Sequence, residues 1–165
     1  MSKIQILTGP IHSDKTTKLM QWAASKKNID GVLQPVIDEK RFVYHIGSRT
    51  LKILEFTETR PENELIKIGK YQFRKSVFDW TQNILIDCLD KNLDWLIIDE
   101  IGPLELEGKG LEPAISKIFS KSEKLNGNVL CVVRNSILEK FVKYYRLESK
   151  YDLINLDLDL EKDIN

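Results

Sequence analysis

Three short apolar runs, within residues 3–8, 95–98 and 129–133, constrain the fold of this chain more than any other feature. Segments of helical period separate them. Leu19, Met20, Trp22 and Ala23 fall on one face of a helix expected over about 15–27. Val77, Phe78, Thr81, Ile84, Leu85, Cys88 and Leu89 do so over about 76–91, and Leu111, Ala114, Ile115, Ile118 and Phe119 mark a third face. A strand without polar alternation needs cover on both faces, so this order predicts a mostly parallel sheet between two helical layers. Ser136 with Glu139 predicts a capping box opening a helix through Phe141, Val142 and Tyr145, and residues 151–156 predict a last strand. Residues 31–73 differ in texture. The short β-prone runs 32–37, 42–46, 51–56 and 65–73 predict an antiparallel β-rich insertion into the α/β core.

A length of 165 residues suits one domain spanning 1–165, with 42 % hydrophobic and 30 % charged residues, as in soluble globular proteins. Lysine plus arginine and aspartate plus glutamate each number 25, so the net charge is zero, which argues against general nucleic-acid binding. No apolar run reaches the ~18 residues of a membrane span. Residues 1–5 lack the pattern of a secretory signal, so the expectation is a cytoplasmic chain with no membrane partner. Cys88 and Cys131 sit among apolar neighbours and read as buried thiols in a reducing compartment.

In parallel sheets ligands bind at the carboxyl ends of the strands, which directs attention to the loops after the first strand and the Trp95 strand. Gly9-Pro10-Ile11-His12-Ser13-Asp14-Lys15-Thr16 follows the phosphate-loop pattern G-x-x-x-x-G-K-[ST] at every fixed position except Asp14, between a strand and a helix. The nucleotide-binding candidates are therefore Gly9, Pro10, Ile11, His12, Ser13, Asp14, Lys15, Thr16 and Thr17. Such a loop wraps phosphate oxygens with backbone N–H groups at a helix N-terminus. Lys15 would reach the β and γ phosphates, Thr16 would offer its hydroxyl to Mg2+, and Thr17 would serve the α-phosphate. The bland alternative is a surface turn that carries a lysine by accident. Trp95-Leu96-Ile97-Ile98-Asp99-Glu100 supplies the second half: an apolar strand with two carboxylates at its mouth. Asp99 would hold the metal, and Glu100 would accept a proton from an attacking water.

With both motifs in place, the sequence resembles the cancer-related nucleoside-triphosphatase family of small P-loop proteins. The resemblance is strongest at Ile98-Asp99-Glu100-Ile101-Gly102-Pro103-Leu104-Glu105-Leu106, where the family carries a run of the form I-D-E-I-G-P-M-E-L. Gly69-Lys70-Tyr71 with Phe73 is similar to the family's G-K-Y segment, and the likeness extends to about Arg134. It implies a RecA-like three-layer α/β/α core that hydrolyses ATP, GTP or other nucleoside triphosphates slowly with Mg2+. By position it makes Lys15 and Thr16 the phosphate and metal residues, Asp99 the metal-associated acid and Glu100 the catalytic base. The family's glycine-and-arginine pattern after the second strand survives here only as Arg41, Gly47 and Arg49.

Arg134 ends the third apolar run, where a cation would read the γ-phosphate; a plain surface arginine is the alternative. Arg41, Arg49, Arg60 and Arg74 read as solvated surface charges, Glu105 as either a polar group near the site or a loop carboxylate facing water. Trp22, Trp80 and Trp95 read as core. Two other functions stay open. The phosphate-loop stretch also resembles the opening of zinc-bearing thymidine kinases, although two separated cysteines cannot build their zinc lasso, and a kinase would transfer phosphate to an added acceptor. The other is a weak nucleotide sensor or scaffold.

Asp14 carries that last alternative. A carboxylate ~5 Å from one phosphate charge is repelled by about 3 kcal/mol at an effective dielectric of 20. Aspartate also tolerates the left-handed backbone less well than glycine, at about 1–2 kcal/mol. Asp14→Gly is therefore expected to tighten triphosphate binding about tenfold to a thousandfold, read by titration; unchanged or weaker binding counts against the charge argument.

Overall fold

The computed structural model describes residues 3–9 and 15–155. Its strands in chain order are β1 (Ile4–Thr8), β2 (Ile29–Leu33), β3 (Val36–Ile37), β4 (Lys40–His45), β5 (Thr50–Ile53), β6 (Leu65–Ile68), β7 (Tyr71–Arg74), β8 (Trp95–Ile101), β9 (Asn128–Val133) and β10 (Tyr151–Asn155). The α-helices are α1 (Lys15–Ala24), α2 (Lys75–Cys88), α3 (Pro103–Leu106), α4 (Ala114–Lys121) and α5 (Leu138–Tyr144). The main sheet runs β10-β1-β9-β8-β2-β4-β3, with β5 on β4. Its first five members are parallel, and β9 stands between the phosphate-loop strand β1 and the acidic strand β8.

Unbroken apolar runs do bury both faces. Leu7, Ile97, Leu130 and Val132 point to one side, where they meet Leu19, Trp22 and Ala23 of α1. Ile4, Ile6, Leu96, Ile98, Val129, Cys131 and Val133 point to the other, against α2, α4 and α5. Leu104 of α3 joins this second cluster, so among the described residues the layers are unequal, one helix against four. Cys88 and Cys131 are buried free thiols, and burial pushes the Cys88 thiol up to about 12. Trp22 meets Trp95 edge to face at 5.4 Å between ring centroids. Among the described residues, no helix is long and apolar enough to cross a membrane.

The β-rich segment departs from the expected meander in two places. Its first strand begins at Ile29 and pairs in parallel with β8, so it belongs to the core. The Asp30-Gly31 pair reads locally as a turn, which hides a strand that begins at Ile29. Gly31 sits at φ +127°, and a Cβ on it would lie 2.0 Å from the Ile97 carbonyl oxygen. It is the point of close approach between two backbones. The second departure is the 65–73 run, which is not one strand but the hairpin β6–β7, turned at Gly69 with φ +53°. The remaining strands β3, β4 and β5 are antiparallel, and they extend the main sheet beyond β2.

Smaller differences have local causes. α1 stops at Ala24 rather than near residue 27: Ser25 turns its hydroxyl onto the Trp22 carbonyl, and Asn28 takes a left-handed backbone. No capping box forms at Ser136 and Glu139. A 3-10 turn, Asn135–Ile137, precedes α5, and its helix start has no side-chain cap. α3 was not foreseen; Pro103 at its first position and Glu105 at its third explain it.

Asp30 ties three pieces of this layout together. Its carboxylate accepts the N–H of Gly31 at 2.7 Å, the N–H of Gly47 at 3.0 Å and the Lys91 ammonium at 2.6 Å, with His45 Nε2 at 3.0 Å. A Cβ on Gly47 would sit 2.8 Å from its oxygens, which explains the glycine in that turn. Burial raises the Asp30 carboxyl, but the Lys91 and Gly31 hydrogen bonds and the His45 charge outweigh it and hold the group below its ordinary range. The folded carboxyl thus ionises at lower pH than the unfolded one. The network stabilises the fold above about pH 4 and loses that contribution as pH falls through the folded value. Asp30→Asn is expected to cost about 2–3 kcal/mol near pH 7, and much less near pH 2, in urea melts. A loss of equal size at both would show that ionisation of Asp30 is irrelevant.

Candidate functional site

Because β1, β2, β8 and β9 run parallel, their carboxyl ends share one edge of the sheet. Thr8 and Gly9 arrive there from β1, Gln34 follows β2, Asp99 and Glu100 come from β8, and Arg134 follows β9. Strand β4 runs the other way. Its register pairs Leu33 with Tyr44, so its first residues, Lys40 and Arg41, reach beyond the end of β2 to the same edge. The ladder between β8 and β9 skips from Ile98 to Ile101, leaving Asp99 and Glu100 out of regular pairing.

Asp99 is fully buried. Its Oδ2 accepts the Thr16 hydroxyl at 2.8 Å and the backbone N–H of Gln34 at 3.0 Å. Its Oδ1 is buried with no hydrogen-bond partner among the described residues. Burial pushes the carboxyl up to about 6, against the pull of the Gln34 N–H and the Thr16 hydroxyl. Its neighbour is treated differently. Glu100 Oε2 accepts from Arg41 Nη1 at 2.7 Å, and Glu100 Oε1 accepts from Arg134 Nε at 2.7 Å. Burial alone would raise Glu100, but the charge of Arg41 and the hydrogen bonds from both arginines hold its carboxyl below the ordinary value.

Gln34 frames the pair from the side. Its carboxamide donates to the backbone carbonyl of Asp99 at 3.0 Å and reaches that of Glu100 at 3.4 Å. Thr8 donates its hydroxyl to Asn135 Oδ1 at 2.5 Å, joining the ends of β1 and β9. Lys15 Nζ lies 3.5 Å from the Gly9 carbonyl oxygen, and Thr17 is exposed in the first turn of α1. Pro10, Ile11, His12, Ser13 and Asp14 lie outside the described residues.

Several expectations change. Arg41 is not a solvated surface charge: its side chain is 21 % exposed and paired with Glu100. Arg74 is partly buried against the Phe56 ring, whereas Arg49 and Arg60 are exposed surface charges. Glu105 faces neither the site nor water. It is buried, and its carboxylate accepts the N–H of Gly102 at 2.9 Å and of Leu111 at 3.1 Å, stapling the turn after β8. Gln34 and Asn135 were missed. The rule that strand ends carry sites would have found Gln34 had β2 been recognised as a parallel strand ending at Leu33.

The donor set suits Mg2+. Thr16 and Asp99 bring hard oxygens together, and one buried Asp99 oxygen has no hydrogen-bond partner among the described residues. Mg2+ needs only one or two protein oxygens when phosphates and water complete its shell. The want of any larger His, Cys, Asp or Glu cluster among the described residues is consistent with that.

Comparison with solved structures finds THEP1 from the hyperthermophile Aquifex aeolicus at TM-score 0.76 and 22 % identity, covering 98 % of this chain and 96 % of that one. A human cancer-related nucleoside triphosphatase superposes at TM-score 0.64 and 20 % identity, over 92 % and 87 % of the two chains. Both likenesses are of fold. No curated protein matches the chain. A family model described as NTPase matches residues 4–163, nearly the whole sequence, and the chain therefore belongs to this NTPase family.

Proposed function

We propose that this chain is a Mg2+-dependent nucleoside-triphosphate phosphohydrolase, a single P-loop domain that releases phosphate slowly from ATP, GTP or a similar triphosphate in the cytoplasm. The observation that carries the proposal is the 2.8 Å hydrogen bond from Thr16 to Asp99, which joins residues 83 positions apart at one sheet edge, beside a buried acid oxygen with no hydrogen-bond partner among the described residues. Thr16 and Asp99 would hold Mg2+, whose bound charge neutralises and polarises phosphate oxygens. Lys15, at the start of α1, would bind the β and γ phosphates together with the loop from Gly9 to Thr17. Glu100 would take the proton of the attacking water. Arg134, beside it, would meet the charge that develops on the γ-phosphate. Asp14 would weaken binding and slow the reaction.

Phosphate release measured with Mg2+ and with a chelator tests the assignment. Lys15→Ala should abolish turnover. Glu100→Gln should lower it by about 10²–10⁴-fold and leave nucleotide bound. Turnover indifferent to both substitutions removes the site assignment, and phosphate transfer that requires an added nucleoside or nucleotide replaces the hydrolase with a kinase.

A further inference from the structure

Glu100, the group expected to act as base, carries an arginine on each carboxylate oxygen: Arg41 on one and Arg134 on the other, each at 2.7 Å. The carboxylate side chain is 16 % exposed, and the two arginine side chains 21 % and 34 %. Among the described residues, Glu100 is the only partner of either guanidinium. Two positive charges therefore share one carboxylate, and each guanidinium has five N–H donors, most of them unspent. A carboxylate held this way is well placed for an ion pair and poorly placed to receive a proton from water.

The cations sit where an incoming anion would meet them. Glu100 adjoins Asp99, and Asp99 is bonded to Thr16 in the first turn of α1, next to Lys15. A terminal phosphate seated by Lys15 and Thr16 would arrive within a residue of the arginine pair. It carries more charge than one carboxylate and presents three oxygens, so it competes well for planar guanidinium groups.

We infer that Arg41 and Arg134 form a substrate-released clamp on Glu100: they silence the carboxylate in the nucleotide-free chain, and the γ-phosphate draws them off it. Arg41 thereby becomes a phosphate-reading residue contributed by the antiparallel extension of the sheet. The freed Glu100 accepts a proton from water as the water oxygen bonds to the γ-phosphorus. The bond from that phosphorus to the bridging oxygen breaks, its electron pair stays on the departing diphosphate, and Glu100 passes its proton on to the released phosphate or to solvent. A diphosphate lacks the competing group, so the clamp stays closed over product and empty site alike. The inference rests on the hydrolase reading of the site.

The test is titration of the full chain, with Mg2+, by ADP and by the non-hydrolysable β,γ-imido analogue of ATP. Arg41→Ala should weaken the analogue about tenfold or more while moving ADP by less than about twofold. Glu100→Gln should tighten the analogue about three- to tenfold in the parent chain, and by less than about twofold in the Arg41→Ala, Arg134→Ala background. A gain of equal size in both backgrounds means the carboxylate simply repels phosphate, and overturns the clamp. So does an Arg41→Ala loss shared equally by ADP and the analogue. Arg41→Lys and Arg134→Lys keep the charge but not the fork; should the alanine variants not fold, they must show the same pattern at smaller size. Lys15→Ala separates this idea from the site itself, because it should weaken both ligands. If both affinities survive Lys15→Ala, the site assignment fails and the clamp with it. If Lys15 matters and Arg41 shows no selectivity, the site stands and the clamp is wrong.

Discussion

Burial of both faces of the parallel strands is the constraint from which the rest follows. Strands such as β1, β8 and β9 can be apolar on both sides only if crossovers carry helices over the sheet, and those crossovers force the strands to point the same way. Every strand end then delivers its next residue to one edge. That edge collects backbone groups and side chains from segments far apart in sequence, between two dry layers where an unpaired polar atom is costly. Thr16, Gln34, Arg41 and Arg134 all spend a donor there on the acid pair, and Thr8 spends its hydroxyl on Asn135.

The two acids at the end of β8 show how finely such an edge divides its charges. Asp99 and Glu100 are neighbours in sequence, yet burial dominates one and cations the other. Asp99 points into the sheet edge, where its hydrogen-bond donors among the described residues are neutral, a hydroxyl and a peptide N–H, and they do not offset its desolvation fully. Glu100 turns to the arginines that follow β9 and open β4. Adjacent carboxylates with opposite surroundings are what a site needs if one is to attract a cation and the other to manage a proton.

The core was largely legible because periodicity reports burial directly. Leu96 to Ile98 and Val129 to Val133 announced strands covered on both sides, and the spacing of Val77, Phe78, Thr81, Ile84 and Leu85 announced the face of α2 that packs on them. The acid pair was legible too, since its meaning lies in its place at a strand end. What escaped was contributed by the β-rich segment, where pairing and not local pattern decides. The Asp30-Gly31 pair hid the fifth parallel strand, and with it Gln34. Arg41 reads as a solvated surface charge until the antiparallel register of β4 carries it to Glu100. Glu105 shows the opposite error: a carboxylate close in sequence to the acid pair that serves only to hold a turn.

The unequal layers bear on the phosphate side of the site. Four helices contribute to one face, but among the described residues α1 alone seats against Leu7, Leu33, Ile97, Leu130, Val132 and Ile154 on the other, with Trp22 edge-on to Trp95. Lys15 and Thr16 begin that helix, so their aim depends on a narrow apolar footing rather than on the broad core. Packing and chemistry are thereby coupled through a handful of side chains. A single methylene gained or lost beneath α1 would tilt the helix and shift both groups at once, tuning the site from behind without altering any residue that touches a nucleotide.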